Sequence, residues 1–273
     1  MKKLRLPRSA GIESTEMDMV ARSLVERNRG RPGFDDDGLP LRGQALVDYV
    51  RGLAGDTILL GFSIGKDSLS MWLYLRDHFN IIPFFLYRLP GMSFEEEALA
   101  YYERFFGCHI MRLPHPNLYA DWRNGMFVSP DMINILLTCN PVRFEYKDVE
   151  ALIAREAGLD RPFTAWGYRA NDNLGRRYHI LREGAAWGRH RRLYYAVWDW
   201  TIEDVAVIIK RHNVRLPRGY ALWGQSCAVP WYNNLRGVRE HFPDDYERIR
   251  EAFPLVDAEL FRWERVGYGE TYA

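Results

Sequence analysis

Ser63, Ile64, Gly65, Lys66, Asp67 and Ser68 bring a glycine, a lysine, a carboxylate and two hydroxyls into one short stretch of chain. A turn of this composition, set between a strand and a helix, aims successive backbone N–H groups and a helix N-terminus at an anion. Lys66 adds a mobile cation, and Ser63 and Ser68 add hydroxyl donors. The chemistry expected is the holding of a phosphate or sulfate group. Spacing excludes two common phosphate loops. G-x-x-x-x-G-K-[ST] needs a glycine where Leu60 stands and a hydroxyl where Asp67 stands, and G-x-G-x-x-G needs a second glycine where Phe62 and Ser63 follow Gly61.

A second set lies further along the chain. Gly167 ends an apolar stretch at 163–167 that reads as a strand, and Arg169 and Arg176 follow it. Guanidinium groups beyond a strand end sit at the edge where open α/β sheets bind ligands, and they suit phosphate or sulfate bidentately. Residues 169–192 add Arg177, Arg182, Arg189, Arg191 and Arg192, with Tyr178 and Trp187 interleaved and Asp172 and Glu183 opposing. Such a run suits a polyanionic substrate, even a nucleic acid, and equally a mobile surface loop.

The elements that must position these residues alternate between strand and helix. An amphipathic helix over 42–53 (Leu46, Tyr49, Val50, Leu53) ends at Gly55. An aliphatic strand over 58–62 leads through the Ser63–Ser68 turn into a helix carrying Leu69, Met71, Trp72, Leu73 and Leu75. Further strands are expected at 81–87, 108–113, 163–167 and 193–197. A helix capped by Ser93, with Glu95, Glu96 and Glu97 in its first turn, should run to Phe106. Thr201, Glu203 and Asp204 read as a helix start rather than catalytic groups, and another helix is expected at 244–252. The fold class is therefore α/β, with an open, mostly parallel, doubly wound five-stranded sheet. The expected division is a helical N-terminal extension (1–40), a nucleotide-binding α/β domain (41–219) and a mostly helical C-terminal extension (220–273). Asp35, Asp36 and Asp37 read as a solvated acidic loop.

Composition is that of an ordinary globular chain. Its 273 residues are 47% hydrophobic and 27% charged, with formal net charge +1. No global field favours nucleic acid or a membrane surface. No apolar run reaches the length of a membrane span, and the basic start (Lys2, Lys3, Arg5, Arg8) lacks the apolar core of a signal peptide. Three cysteines, Cys108, Cys139 and Cys227, make no disulfide framework, so a cytoplasmic location is expected. Cys108 reads as buried core.

The turn resembles the S-x-G-K-D-S signature of the N-type ATP pyrophosphatases, with Ser63, Gly65, Lys66, Asp67 and Ser68 in register and Ile64 where a second glycine is usual. That departure is tolerable if the backbone angles of Ile64 are ordinary. Gly167, Arg169 and Arg176 are similar to the G-x-R-x-x-x-S-x-x-R segment of the phosphoadenosine phosphosulfate (PAPS) reductase-like branch, with Asn173 in place of its serine. Asp199-Trp200-Thr201-Ile202-Glu203-Asp204-Val205 and Leu216-Pro217 through Tyr220 and Gly224 resemble two later segments of that branch. The resemblance implies an adenine nucleotide alpha-hydrolase-like fold. It implies ATP with its phosphates on Ser63, Ile64, Gly65, Lys66, Asp67 and Ser68, Mg²⁺ near Asp67, and adenine near Tyr87 and Met92. An acceptor would then attack the α-phosphorus and release pyrophosphate, with Lys66, Asp67, Arg169 and Arg176 as the catalytic groups. Removing Lys66 or Asp67 is expected to abolish activity at little cost in stability.

Two alternatives follow from the same resemblance. One is a sulfonucleotide reductase that binds PAPS without a metal. The reductases use a thiolate in a C-terminal E-C-G-x-H segment. No cysteine follows Cys227 here, and single cysteines stand where paired ones would bind an iron–sulfur cluster, so neither that route nor a cluster is expected. The other is a non-catalytic nucleotide-binding subunit that presents a substrate to a second protein.

Overall fold

The computed structural model describes residues 14–140, 142–188, 191–226 and 232–266. Arg189, Cys227, the basic start and the 267–273 tail lie outside the described residues.

In chain order the elements are α1 (Ser14–Asn28), α2 (Gly43–Ala54), β1 (Thr57–Gly61), α3 (Lys66–Leu75), β2 (Asn80–Tyr87), α4 (Ser93–Phe106), β3 (Met111–Pro114), α5 (Pro116–Arg123), α6 (Pro130–Cys139) and α7 (Tyr146–Glu156). They continue with β4 (Thr164–Trp166), α8 (Leu174–Glu183), β5 (Ala186–Trp187), β6 (Leu193–Tyr194), α9 (Ile202–Arg211), α10 (Arg218–Trp223), α11 (Tyr232–His241), α12 (Pro243–Ala252) and α13 (Val256–Val266).

The strands form one open sheet in the order β3-β2-β1-β4-β6-β5. The pairs β1–β4, β2–β3 and β4–β6 are parallel, and β5 closes one edge antiparallel to β6. The sheet therefore has six strands rather than five. The extra one, Ala186–Trp187, is two residues long, too short for any period to register. The strand expected at 193–197 stops at Tyr194: the Tyr195 N–H still reaches the carbonyl of Ala185, its counterpart in the β5–β6 register, but the chain then turns, with the Trp198 N–H on the Tyr195 carbonyl. The strand expected from Cys108 begins at Met111, and Cys108 lies half-buried in the turn before it, not in the core.

The order carries one further consequence. From β1 the chain builds outward through β2 and β3, and then β4 returns to the other side of β1. The reversal falls between β1 and β4, whose C-terminal residues Gly61 and Trp166 are partners in register. Open α/β sheets bind ligands in the crevice beyond such a switch point.

The chain packs as two compact units that do not follow chain order. The first comprises Met1–Phe62, Lys66–Pro83 and Glu150–Arg215. Its core takes Val47 and Val50 of α2, Ile58, Leu59 and Leu60 of β1, and Leu69, Trp72 and Leu73 of α3, all at most 2% exposed. Helix α9 begins with a reciprocal cap: Thr201 Oγ1 accepts the N–H of Asp204, and Asp204 accepts the N–H of Thr201. The second unit comprises Ser63–Gly65, Phe84–Val149 and Leu216–Ala273. Its core is a helical cluster that includes Met92, Leu118, Leu235, Val238, Ile249, Phe253 and Leu260.

Candidate anion site

Helix α3 begins at Lys66, directly after the turn, so the first residues past β1 are Phe62 and Ser63–Gly65. Ile64 has φ +60° and is 8% exposed. Its backbone angles are therefore not ordinary. The left-handed region costs a residue with a Cβ roughly 1–2 kcal/mol and is a true outlier for a β-branched one. Burial of the side chain offsets this, at about 1.5–3 kcal/mol for an aliphatic residue. Strain of this kind persists where surrounding structure imposes it, and it clusters at ligand-holding turns.

The first unit holds a chain of charged side chains. Lys66 Nζ lies 2.9 Å from Asp67 Oδ2. Asp67 Oδ1 lies 2.8 Å from Arg169 Nε, off the hydrogen-bonding angle, so this is a charge contact. Arg169 Nη2 donates to Asp172 Oδ1 at 2.7 Å, and Arg176 Nη1 donates to Asp172 Oδ2 at 2.5 Å. Three cations and two carboxylates thus alternate in a chain: Lys66, Asp67, Arg169, Asp172, Arg176. Gly167 brings the two segments together. A Cβ there would stand 2.7 Å from the Ser68 backbone nitrogen and 2.9 Å from the Asp67 carbonyl carbon, so the β4 end can lie on the start of α3 only as glycine. Asn173 then caps α8 by accepting the N–H of Arg176, which sets that arginine in the first turn.

The two arginines differ. The Arg169 side chain is 9% exposed and held by two carboxylates. The Arg176 side chain is 37% exposed, meets one carboxylate, and lies 4.3 Å over the Tyr168 ring, which stacks in turn on Tyr195. Arg169 is therefore built as a brace, and Arg176 is the more accessible donor. Asp172, taken from sequence as a mere opposing charge, is the group that joins them. Asp67 is braced rather than loose: the removal that the sequence reading expects to cost little would take one of two carboxylates from the Arg169 guanidinium.

The remaining expected residues fall elsewhere. Tyr87 and Met92 belong to the second unit, as do Ser63–Gly65. Burial raises the Tyr87 hydroxyl pKa above its ordinary value, the nearby Tyr119 adding to the effect, and the Tyr87 carbonyl accepts the N–H of His115. Met92 is 1% exposed in the helical cluster, and its carbonyl accepts from Glu95 and Glu96, so its side chain is committed to packing. Much of the basic run over 169–192 is also committed. Arg182 pairs with Glu183, Arg191 grips Glu150 through two nitrogens, and Arg192 donates to the carbonyl of Arg161.

Asp67 is a poor ready-made ligand for Mg²⁺, since both of its oxygens already meet side-chain cations. Among the described residues no group of three His, Cys, Asp or Glu side chains could hold a metal ion. No helix among them is long and apolar enough to cross a membrane. Cys139 is exposed at the end of α6.

No family model matches the chain, and no curated protein matches it. Among solved structures it is similar to the PAPS reductase from Candida auris in a phosphate complex, at 12% identity and TM-score 0.42, over 79% of this chain and 94% of that one. It is also similar to the NH3-dependent NAD synthetase from Campylobacter jejuni in complex with nitrate, at 10% identity and TM-score 0.40, over 80% of this chain and 92% of that one.

Proposed function

We propose that this chain is an ATP pyrophosphatase-type enzyme that binds ATP through the Ser63–Ser68 turn and adenylates an acceptor. The observation that carries the reading is the turn itself. It joins β1 to the N-terminus of α3 beside the sheet's switch point, with Lys66 and the arginine-braced Asp67 in its last positions. A helix N-terminus with a lysine in its first turn favours polyphosphate over a neutral ligand.

In the proposed reaction an acceptor oxygen forms a bond to the α-phosphorus. The bond from that phosphorus to its bridging oxygen breaks, pyrophosphate leaves with the electron pair, and the acceptor's proton passes to solvent. Lys66 moves from Asp67 to the phosphates, the turn's amides hold the leaving group, and Arg176 meets the developing charge. Arg169 works through Asp67, keeping it aimed at the start of α3. Committed as they are to carboxylates and carbonyls, Arg182, Arg191 and Arg192 weigh against a polyanion lying along residues 169–192.

The test is pyrophosphate release from ATP, with a thermal-shift screen of ATP, PAPS and adenosine bisphosphate, since a ligand of the folded state stabilises it by mass action. Stabilisation by ATP in the wild type, lost in Lys66→Ala, is expected. Turnover retained in Lys66→Ala removes the assignment. Release of sulfite from PAPS under thioredoxin, lost in Cys227→Ser, puts the reductase reading in its place.

A further inference from the structure

Gly65 sits between two hydroxyls. A Cβ at this position would stand 3.2 Å from Ser63 Oγ, 3.6 Å from Ser226 Oγ and 3.8 Å from Ser226 Cβ. Ser63 belongs to the turn. Ser226 comes from the segment after α10, and both lie in the second unit. That segment is anchored. The Trp223 ring at the end of α10 fills the space over Gly237 of α11, where a Cβ would be 2.5 Å from it. Gly224 closes α10 in the left-handed conformation, and Gln225 reaches Asn234, which is 3% exposed, at 3.5 Å. A short, tethered stretch therefore delivers one hydroxyl to the backbone of the strained part of the turn. A hydroxyl is a donor suited to a phosphate oxygen, and the absence of a side chain at Gly65 leaves both hydroxyls room beside the backbone.

We propose that Ser226 is a phosphate-contacting residue of the Ser63–Ser68 turn, a third hydroxyl supplied from outside the turn's own sequence. The inference rests on the reading of the turn as a phosphate site. Its test is calorimetric titration of wild type, Ser226→Ala and Lys66→Ala with ATP, inorganic pyrophosphate and adenosine, alongside melting without ligand. Ser226→Ala should weaken ATP and pyrophosphate about tenfold, leave adenosine unchanged, and melt within a few degrees of wild type. A role in packing alone predicts the reverse: a lower melting temperature, with the three ligands affected alike. Full pyrophosphate affinity in Ser226→Ala beside lost affinity in Lys66→Ala overturns the role of Ser226 and leaves the phosphate reading intact. A wild type that binds neither ATP nor pyrophosphate overturns both.

Discussion

Helices α3 and α4 each follow a strand of the same sheet, and their N-termini carry different charge arrangements. At α4 the first-turn donors are taken up by the protein's own anion. Asp245 of α12, 2% exposed, accepts the Ser93 N–H at 2.8 Å, the Ser93 hydroxyl at 2.6 Å and the Phe94 N–H at 3.4 Å. Met92 stands at the N-cap and makes no side-chain cap. At α3 the charges are arranged differently: the first-turn carboxylate, Asp67, meets Arg169 and Lys66, and the turn leading in carries the strain at Ile64. One terminus is closed for stability, with a carboxylate in the place an anionic ligand would take. The other is equipped with a lysine and a braced carboxylate, and it is the one proposed to receive phosphate.

The comparison breaks most readily at Arg169. Arg169→Ala leaves Asp67 and Asp172 without their shared partner, and removal of one member of a buried ion pair costs about 3–5 kcal/mol. A fall of about 3 kcal/mol in unfolding free energy is expected from urea titration. Arg176→Ala, at the exposed end of the same chain of charges, should cost less than about 1 kcal/mol. Equal losses would show that the two arginines do not divide into brace and accessible donor. At the other terminus, Asp245→Ala should cost about 2–3 kcal/mol, because it removes a cap and leaves buried donors unsatisfied. ATP binding should survive it in the folded protein. Loss of binding there would join the two termini in one site.

The closed terminus carries a pH signature. Glu95, in the first turn of α4, is 9% exposed, and burial pushes its carboxyl up to about 8, with Glu96 and Asp245 adding to the effect. Its unfolded value is the ordinary 4.5. Between those values the folded protein binds more protons than the unfolded chain, so stability falls as pH rises through that window and levels off above it. Each pH unit is worth at most about 1.4 kcal/mol, and a fall of about 2 kcal/mol between pH 5.5 and 7.5 is expected from chemical denaturation. Glu95→Gln should flatten this slope. An unchanged slope in that variant would place the titration elsewhere.

The sequence was informative where the signal was local. The Ser63–Ser68 turn between strand and helix, the α9 cap and the β1 strand rest on contiguous residues. It was blind where pairing decides. Ser93 read as a cap, but its donors go to a carboxylate about 150 residues later, and a helix cap supplied from another helix leaves no local trace. Arg169 and Arg176 read as equivalent cations, because nothing in the spacing reveals that Asp67 and Asp172 bracket one of them. Ser226 leaves no mark in the sequence for the same reason. The left-handed Ile64 ran against local preference, which points toward Gly or Asn, so tertiary packing overrode propensity there.

Ile64 offers a small and discriminating change. Ile64→Gly relieves roughly 1–2 kcal/mol of left-handed strain. Against this, glycine loses more backbone freedom on folding, about 0.5–1 kcal/mol. It also forfeits the burial of a side chain that is 8% exposed, about 1.5–3 kcal/mol. The sum is a net loss of about 1.5 kcal/mol, measurable as a lower urea midpoint with an unchanged slope. Binding should move differently from stability, because the turn's N–H groups keep their direction only while the left-handed bend is held. A glycine there still adopts the bend but no longer favours it through packing, so pyrophosphate affinity should fall a few-fold at most. A variant that is more stable than wild type would mean that Ile64 contributes strain and no compensating burial. The residue would then be held in place by the ligand-binding geometry of the turn alone.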